Sequence, residues 1–87
     1  MTPTKTPHNH RMTKQSKENL LVSESVTIQA TYPVPNYPVA YMVRCQLGQR
    51  VGYVHGGDGF LIMYPTPGAA ERAVKRVRPD LAPIFQN

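Results

Sequence analysis

The chain has 87 residues, a mass of 9.7 kDa and a net charge of +5, which leaves room for one domain, because a second core could not remove enough apolar surface from water. Its single cysteine, Cys45, excludes an intrachain disulfide and a cysteine-rich metal site, and suits a reducing compartment. No stretch approaches the roughly 20 apolar residues that span a bilayer, and the polar N-terminal stretch lacks the apolar core of a secretory leader, so the expectation is a cytoplasmic protein without membrane contact.

The charge is unevenly placed. Residues 1–17 hold Lys5, Arg11, Lys14 and Lys17 and no acid, whereas residues 18–87 hold six basic and five acidic side chains. From Met1 to about Asn19 the composition is Thr, Pro, Lys, His, Asn, Gln and Ser, with Met12 the one interior apolar residue, which predicts a disordered basic tail over residues 1–19. A single domain over residues 20–87 is expected behind it, with its folded part running from about Glu24 to Phe85 and nearly neutral. A domain built to lie along phosphate carries a basic face of its own, so the net charge overstates that case.

Within the domain, Val26-Thr27-Ile28-Gln29-Ala30-Thr31 alternates as a half-buried strand does. The prolines of Tyr32-Pro33-Val34-Pro35-Asn36-Tyr37-Pro38 forbid a helix and predict a stiff connector. Val39 to Gln46 alternates again, with Val39, Tyr41, Val43 and Cys45 on one face and Ala40, Met42, Arg44 and Gln46 on the other. Gly48 supplies a tight turn, and Arg50 to His55 reads as the return strand of a hairpin. Gly56-Gly57-Asp58-Gly59 is a second turn, and the apolar run Phe60 to Tyr64 a further strand. Thr66 as N-cap and Pro67 at the first helical position start a helix with an apolar stripe of Ala70, Ala73, Val74 and Val77, and Pro79 ends it. Asp80 to Phe85 is apolar enough to dock on the core, but its prolines argue against regular structure.

The expected class is therefore α+β: a small antiparallel sheet of three to four strands, a hairpin meander, with one C-terminal helix on one face. One short helix cannot shield such a sheet, so apolar residues of the second face, for which Met42, Val54, Leu61 and Met63 are the candidates, call for a protein partner or a second copy of the chain. The reading is a non-enzymatic protein-binding module of adaptor or inhibitor type. The alternative is a nucleic-acid-binding accessory protein, in which Lys14, Lys17, Arg44, Arg50, Arg72, Lys75 and Arg76 contact phosphate. Cations in the last turns of a helix also complement its dipole with no partner at all.

Motifs with chemistry are weak. Cys45 and His55 could form a nucleophile and base, but Cys45 shares its face with core residues and no acid or amide suggests an orienting group. His8 and His10 are two ligands where a structural zinc needs four. The glycine-rich turn leads into a strand rather than a helix and lacks the Lys-Ser/Thr of a phosphate loop. Pro35-Asn36-Tyr37-Pro38 has the minimal spacing of a proline-rich ligand without its basic flank. No catalytic residue, cofactor, metal or small-molecule substrate is expected.

Overall fold

A computed structural model describes residues 11–31, 35–36 and 38–86. In chain order these residues form helix α1 (Lys14–Val22), strands β1 (Ser25–Ala30), β2 (Tyr41–Leu47) and β3 (Arg50–Tyr53), helix α2 (Pro67–Val77) and strand β4 (Ile84–Gln86). The strands make one sheet in the order β3-β2-β1-β4, antiparallel except for β4, which runs parallel to β1. The class is α+β, but with two helices and a mixed sheet.

The β2–β3 hairpin forms as its sequence requires. Leu47 pairs with Arg50, leaving the two-residue loop Gly48-Gln49, and Gly48 has φ +66°. Positive φ at the first central position of such a loop matches the twist of the flanking strands and favours glycine. α2 likewise starts on its cap, with the Thr66 hydroxyl accepting from the Ala69 N–H at 3.1 Å, and buries Ala70, Ala73 and Val74. The Thr31–Ala40 backbone pair closes the proline-rich connector; Tyr32 to Val34 and Tyr37 lie outside the described residues.

Three expectations are corrected. Residues 14–22 are helical, not part of a disordered tail. Their composition is polar, so tertiary anchors rather than an apolar stripe hold the helix. The Thr13 hydroxyl caps it by accepting from the Ser16 N–H at 3.1 Å. The Ser16 hydroxyl accepts from the His55 N–H at 2.9 Å, and the Thr13 N–H donates to the His55 carbonyl at 3.1 Å. Leu20 alone enters the core, fully buried. Residues 1–10 of the expected tail lie outside the described residues.

The second correction concerns Phe60 to Tyr64, which makes isolated bridges, Leu61 to His55 and Tyr64 to Tyr41, instead of a continuous strand. Ile62 and Tyr64 turn into the core while Phe60 stays 74% exposed in the turn. The third is β4: Pro83 is buried and Ile84–Gln86 pairs along β1. Proline lacks one donor and is tolerated where a strand begins at the sheet edge.

Alternation and register give the sheet two distinct sides. Val26 and Ile28 of β1 and Val43 and Cys45 of β2 are buried toward the helices, with Tyr41 and Leu47 packed against them. Leu20, Val54, Ile62, Tyr64, Ala70, Ala73 and Val74 complete the core. Gly52, paired with Cys45, lets α1 come close: a Cβ there would stand 3.3 Å from Leu47 Cδ1 and 3.5 Å from Asn19 Nδ2.

Arg78 ties the two helices together. Its Nη1 donates to the carbonyls of Leu20 and Leu21 at 3.0 Å each, and its Nε and Nη2 hold both carboxylate oxygens of Asp80 at 3.0 and 2.9 Å. A cation thereby meets the last carbonyls of α1, that of Leu21 and that of Leu20, which also accepts from the Ser23 N–H. The same contact holds the Asp80 carboxyl below the usual carboxylate value of 3.8.

Candidate functional site

Both helices pack on one side of the sheet. On the other side the strands present Thr27 and Gln29 of β1, Met42, Arg44 and Gln46 of β2, Val51 and Tyr53 of β3, and Ile84 and Gln86 of β4. By the same alternation, Leu61 and Met63 point away from buried Ile62 and Tyr64 and join this open side, half-buried. Val51 and Ile84 are 47% and 55% exposed. Among the described residues no helix covers them.

Of the four sequence-derived interface residues, Met42, Leu61 and Met63 thus share the open side, whereas Val54 is in the core. The error at Val54 has a physical source. Its N–H donates to the Val43 carbonyl and its carbonyl accepts from Ile62, so it sits between two core-facing neighbours and takes their side of the sheet. Val51, Tyr53 and Ile84 were missed; the first two alternate with Gly52 in plain view, while Ile84 depends on a strand its prolines conceal.

Arg44 is the one charged residue that the described strands place on the open side, in register between Thr27 and Tyr53. Gln29 Oε1, next to Met42 in register, is buried without a hydrogen-bond partner among the described residues. The surface mixes apolar and aromatic side chains with Gln29, Gln46 and Gln86 around a single cation, and Thr27, in register with Arg44, is buried.

The helix side is different. Lys14 and Lys17 on α1 and Arg72, Lys75 and Arg76 on α2 are exposed there, with Arg11 just ahead of α1. Against these stand Glu18 and Glu71. Five of the seven candidate phosphate contacts therefore lie on the helices, Arg50 lies at the hairpin, and Arg44 lies on the opposite side. Because α1 belongs to the fold, the folded part is more basic than its sequence boundary implied.

Between the helices and the segment ahead of α1 is a cleft of about 620 Å³. Met12, Leu21, Tyr64, Ala73 and Val77 supply apolar walls, and Arg11, Lys17 and Arg76 supply cations. The Tyr64 hydroxyl is pushed up from its usual pKa by burial, partly offset by Arg76 nearby.

The remaining motifs have structural placements. Cys45 is buried, which pushes its thiol up from its usual 9.0, with a smaller opposing effect from its hydrogen bond with Ser23. His55 Nδ1 lies 2.8 Å from the Tyr53 carbonyl. The glycine turn is a hairpin end: Gly56 donates to Phe60 at 2.9 Å, Gly59 has φ +87°, and Asp58 Oδ1 accepts from the Phe60 N–H at 3.0 Å. Among the described residues no three metal-ligating side chains converge, and no helix is long and apolar enough to cross a membrane. His8 and His10 lie outside them.

No protein-family model, characterised protein or solved structure matches this chain.

Proposed function

We propose that this chain is a small non-enzymatic protein-binding module of adaptor or inhibitor type, acting in the cytoplasm, whose contact surface is the open side of the sheet. One observation carries it: both helices lie on the same side, and among the described residues the other side keeps Val51 and Ile84 exposed and Met42, Tyr53, Leu61 and Met63 half-buried with no helix over them. Four strands at about 4.8 Å and at most about six residues at about 3.3 Å bound the footprint at roughly 19 by 20 Å, about 380 Å² per partner and the size of a weak or transient contact. Arg44 sets the partner's chemistry: an apolar protein surface with a carboxylate near its centre. Two copies placed face to face about this residue would oppose like charges, so a different protein fits better than self-association. The buried, raised thiol of Cys45 supports a role in packing rather than catalysis.

The test is site-specific photo-crosslinking in cells from Met42 or Tyr53 on the open side and from Glu71 on α2. One protein partner captured from the first two positions and not the third, and lost on Arg44→Glu, is the expected result. Equal capture from both sides sinks the reading.

A second reading rests on the helix side, where Arg11, Lys14, Lys17, Arg72, Lys75 and Arg76 face Glu18 and Glu71. Such a surface can bind nucleic-acid phosphates without sequence preference, and its affinity would fall steeply with salt. Mobility shifts of mixed DNA and RNA at several salt concentrations decide it: Lys17→Gln with Lys75→Gln should flatten the slope, and a salt-independent shift would refute it.

A further inference from the structure

We infer that the cleft between the helices binds an amphipathic carboxylate, a small molecule with an aliphatic or aromatic body and one anionic head. The volume, about 620 Å³, lies within the range of small-molecule sites. Its walls are mainly apolar, from Met12, Leu21, Ala73 and Val77, and the charged side chains that line it, Arg11, Lys17 and Arg76, are all cationic. An apolar body removes those walls from water, and the head meets guanidinium and ammonium groups that form strong charge-assisted hydrogen bonds with carboxylates.

Charge also decides against the nearest alternative occupant within the chain. Residues 1–10 carry Lys5, His8 and His10 and no acid, so they do not complement a cationic lining. A neutral apolar ligand offers no charge to Lys17 and Arg76, and a cation is repelled. The geometry is half-open and built on two helices that Arg78 holds together, so the site is preformed in the chain alone. It is separate from the open side of the sheet, and either site can fail without the other.

The probe is sodium decanoate, titrated below its micelle concentration into the ¹⁵N-labelled full chain, with decanol as the uncharged control. Shifts should concentrate at the amides of Met12, Lys17, Leu21, Ala73 and Val77. Decanoate should bind at least about tenfold tighter than decanol. Lys17→Gln combined with Arg76→Gln should remove most of that preference; Leu21→Ser should weaken both ligands. These positions are exposed or at the cleft, and an otherwise unchanged spectrum confirms that each variant is folded. Equal affinity for decanoate and decanol overturns the inference, as does a footprint on β2 and β3 instead of the cleft. Vesicles of phosphatidylglycerol address a lipid surface: sedimentation of the chain with vesicles while monomeric decanoate leaves the cleft amides unmoved also overturns it.

Discussion

The two sides of this sheet are made from the same strands and differ in what their alternate residues are asked to do. Toward the helices, Val26, Ile28, Val43 and Cys45 are closed off by Leu20, Ala70, Ala73 and Val74. Away from them, Met42, Val51, Tyr53 and Ile84 have comparable apolar character and remain accessible to different degrees. The second side is therefore surplus to the core, and surplus apolar surface in a domain of this size is where binding is sought. The helix side answers with a different chemistry, cations around a cleft.

The largest effect expected from breaking this contrast is at Leu20. Leu20→Ala removes the one large side chain by which α1 enters the core, a loss of about 2–5 kcal/mol, which is comparable to the roughly 3–5 kcal/mol that a core this small supplies. Urea denaturation should find the variant largely unfolded. Met42→Ala on the open side, tested the same way, should cost under about 1 kcal/mol, as surface substitutions do. Equal costs would mean that the open side is as structural as the core.

Next in size is Gly52→Val. The 3.3 Å and 3.5 Å approaches to Leu47 and Asn19 leave no room for a branched side chain, so α1 should be displaced at a cost of about 1–3 kcal/mol, with faster amide exchange in α1. Gly52→Ala should cost less, because both facing atoms end flexible side chains. Cys45 gives a chemical readout of the same closure. Native iodoacetamide alkylation at pH 8 should run at least about tenfold slower than in urea, since the thiolate is the reactive form and burial suppresses it. Its folded pKa is raised above the unfolded value, so this contribution to stability is complete below 9.0 and declines as pH rises through the folded value. Rapid native alkylation would place Cys45 in contact with solvent and reopen a catalytic reading.

How legible was this in the sequence? Wherever alternation and turn chemistry agree, the structure follows them: β1, the β2–β3 hairpin, and α2 with Thr66 and Pro67 at its start. α1 was illegible because its stability resides in Ser16 and Thr13 meeting the His55 backbone, 39 and 42 residues away, and a polar helix with one buried leucine has no periodic signature. β4 was hidden behind Pro79 and Pro83, since local propensity says nothing about an edge that β1 leaves open. The open side was legible in part, through Met42, Leu61 and Met63. The cleft was not, because it exists only once α1 is known to be a helix beside α2.

The smallest expected effect concerns the Arg78 contact that holds the helix side together. Asp80 has its folded pKa lowered, chiefly by its hydrogen bonds with Arg78. A lowered carboxyl pKa stabilises the fold above the unfolded value near 3.8 and ceases to do so as pH falls through the folded value. The pair is exposed at Asp80, so solvent and salt screen it and the change is modest. Asp80→Asn should lower the urea midpoint slightly at neutral pH and remove part of the acid dependence, so that the two proteins converge in strongly acidic solution. Arg78→Gln should do more, because the Leu21 carbonyl also loses this donor and the Leu20 carbonyl is left with the Ser23 N–H alone. Amide exchange separates the two sides here: both variants should loosen the last turn of α1 while β2 and β3 keep their protection. Loosening that spreads equally through the sheet would show that the helix layer and the open side are one cooperative unit, and that a ligand on either is felt by the other.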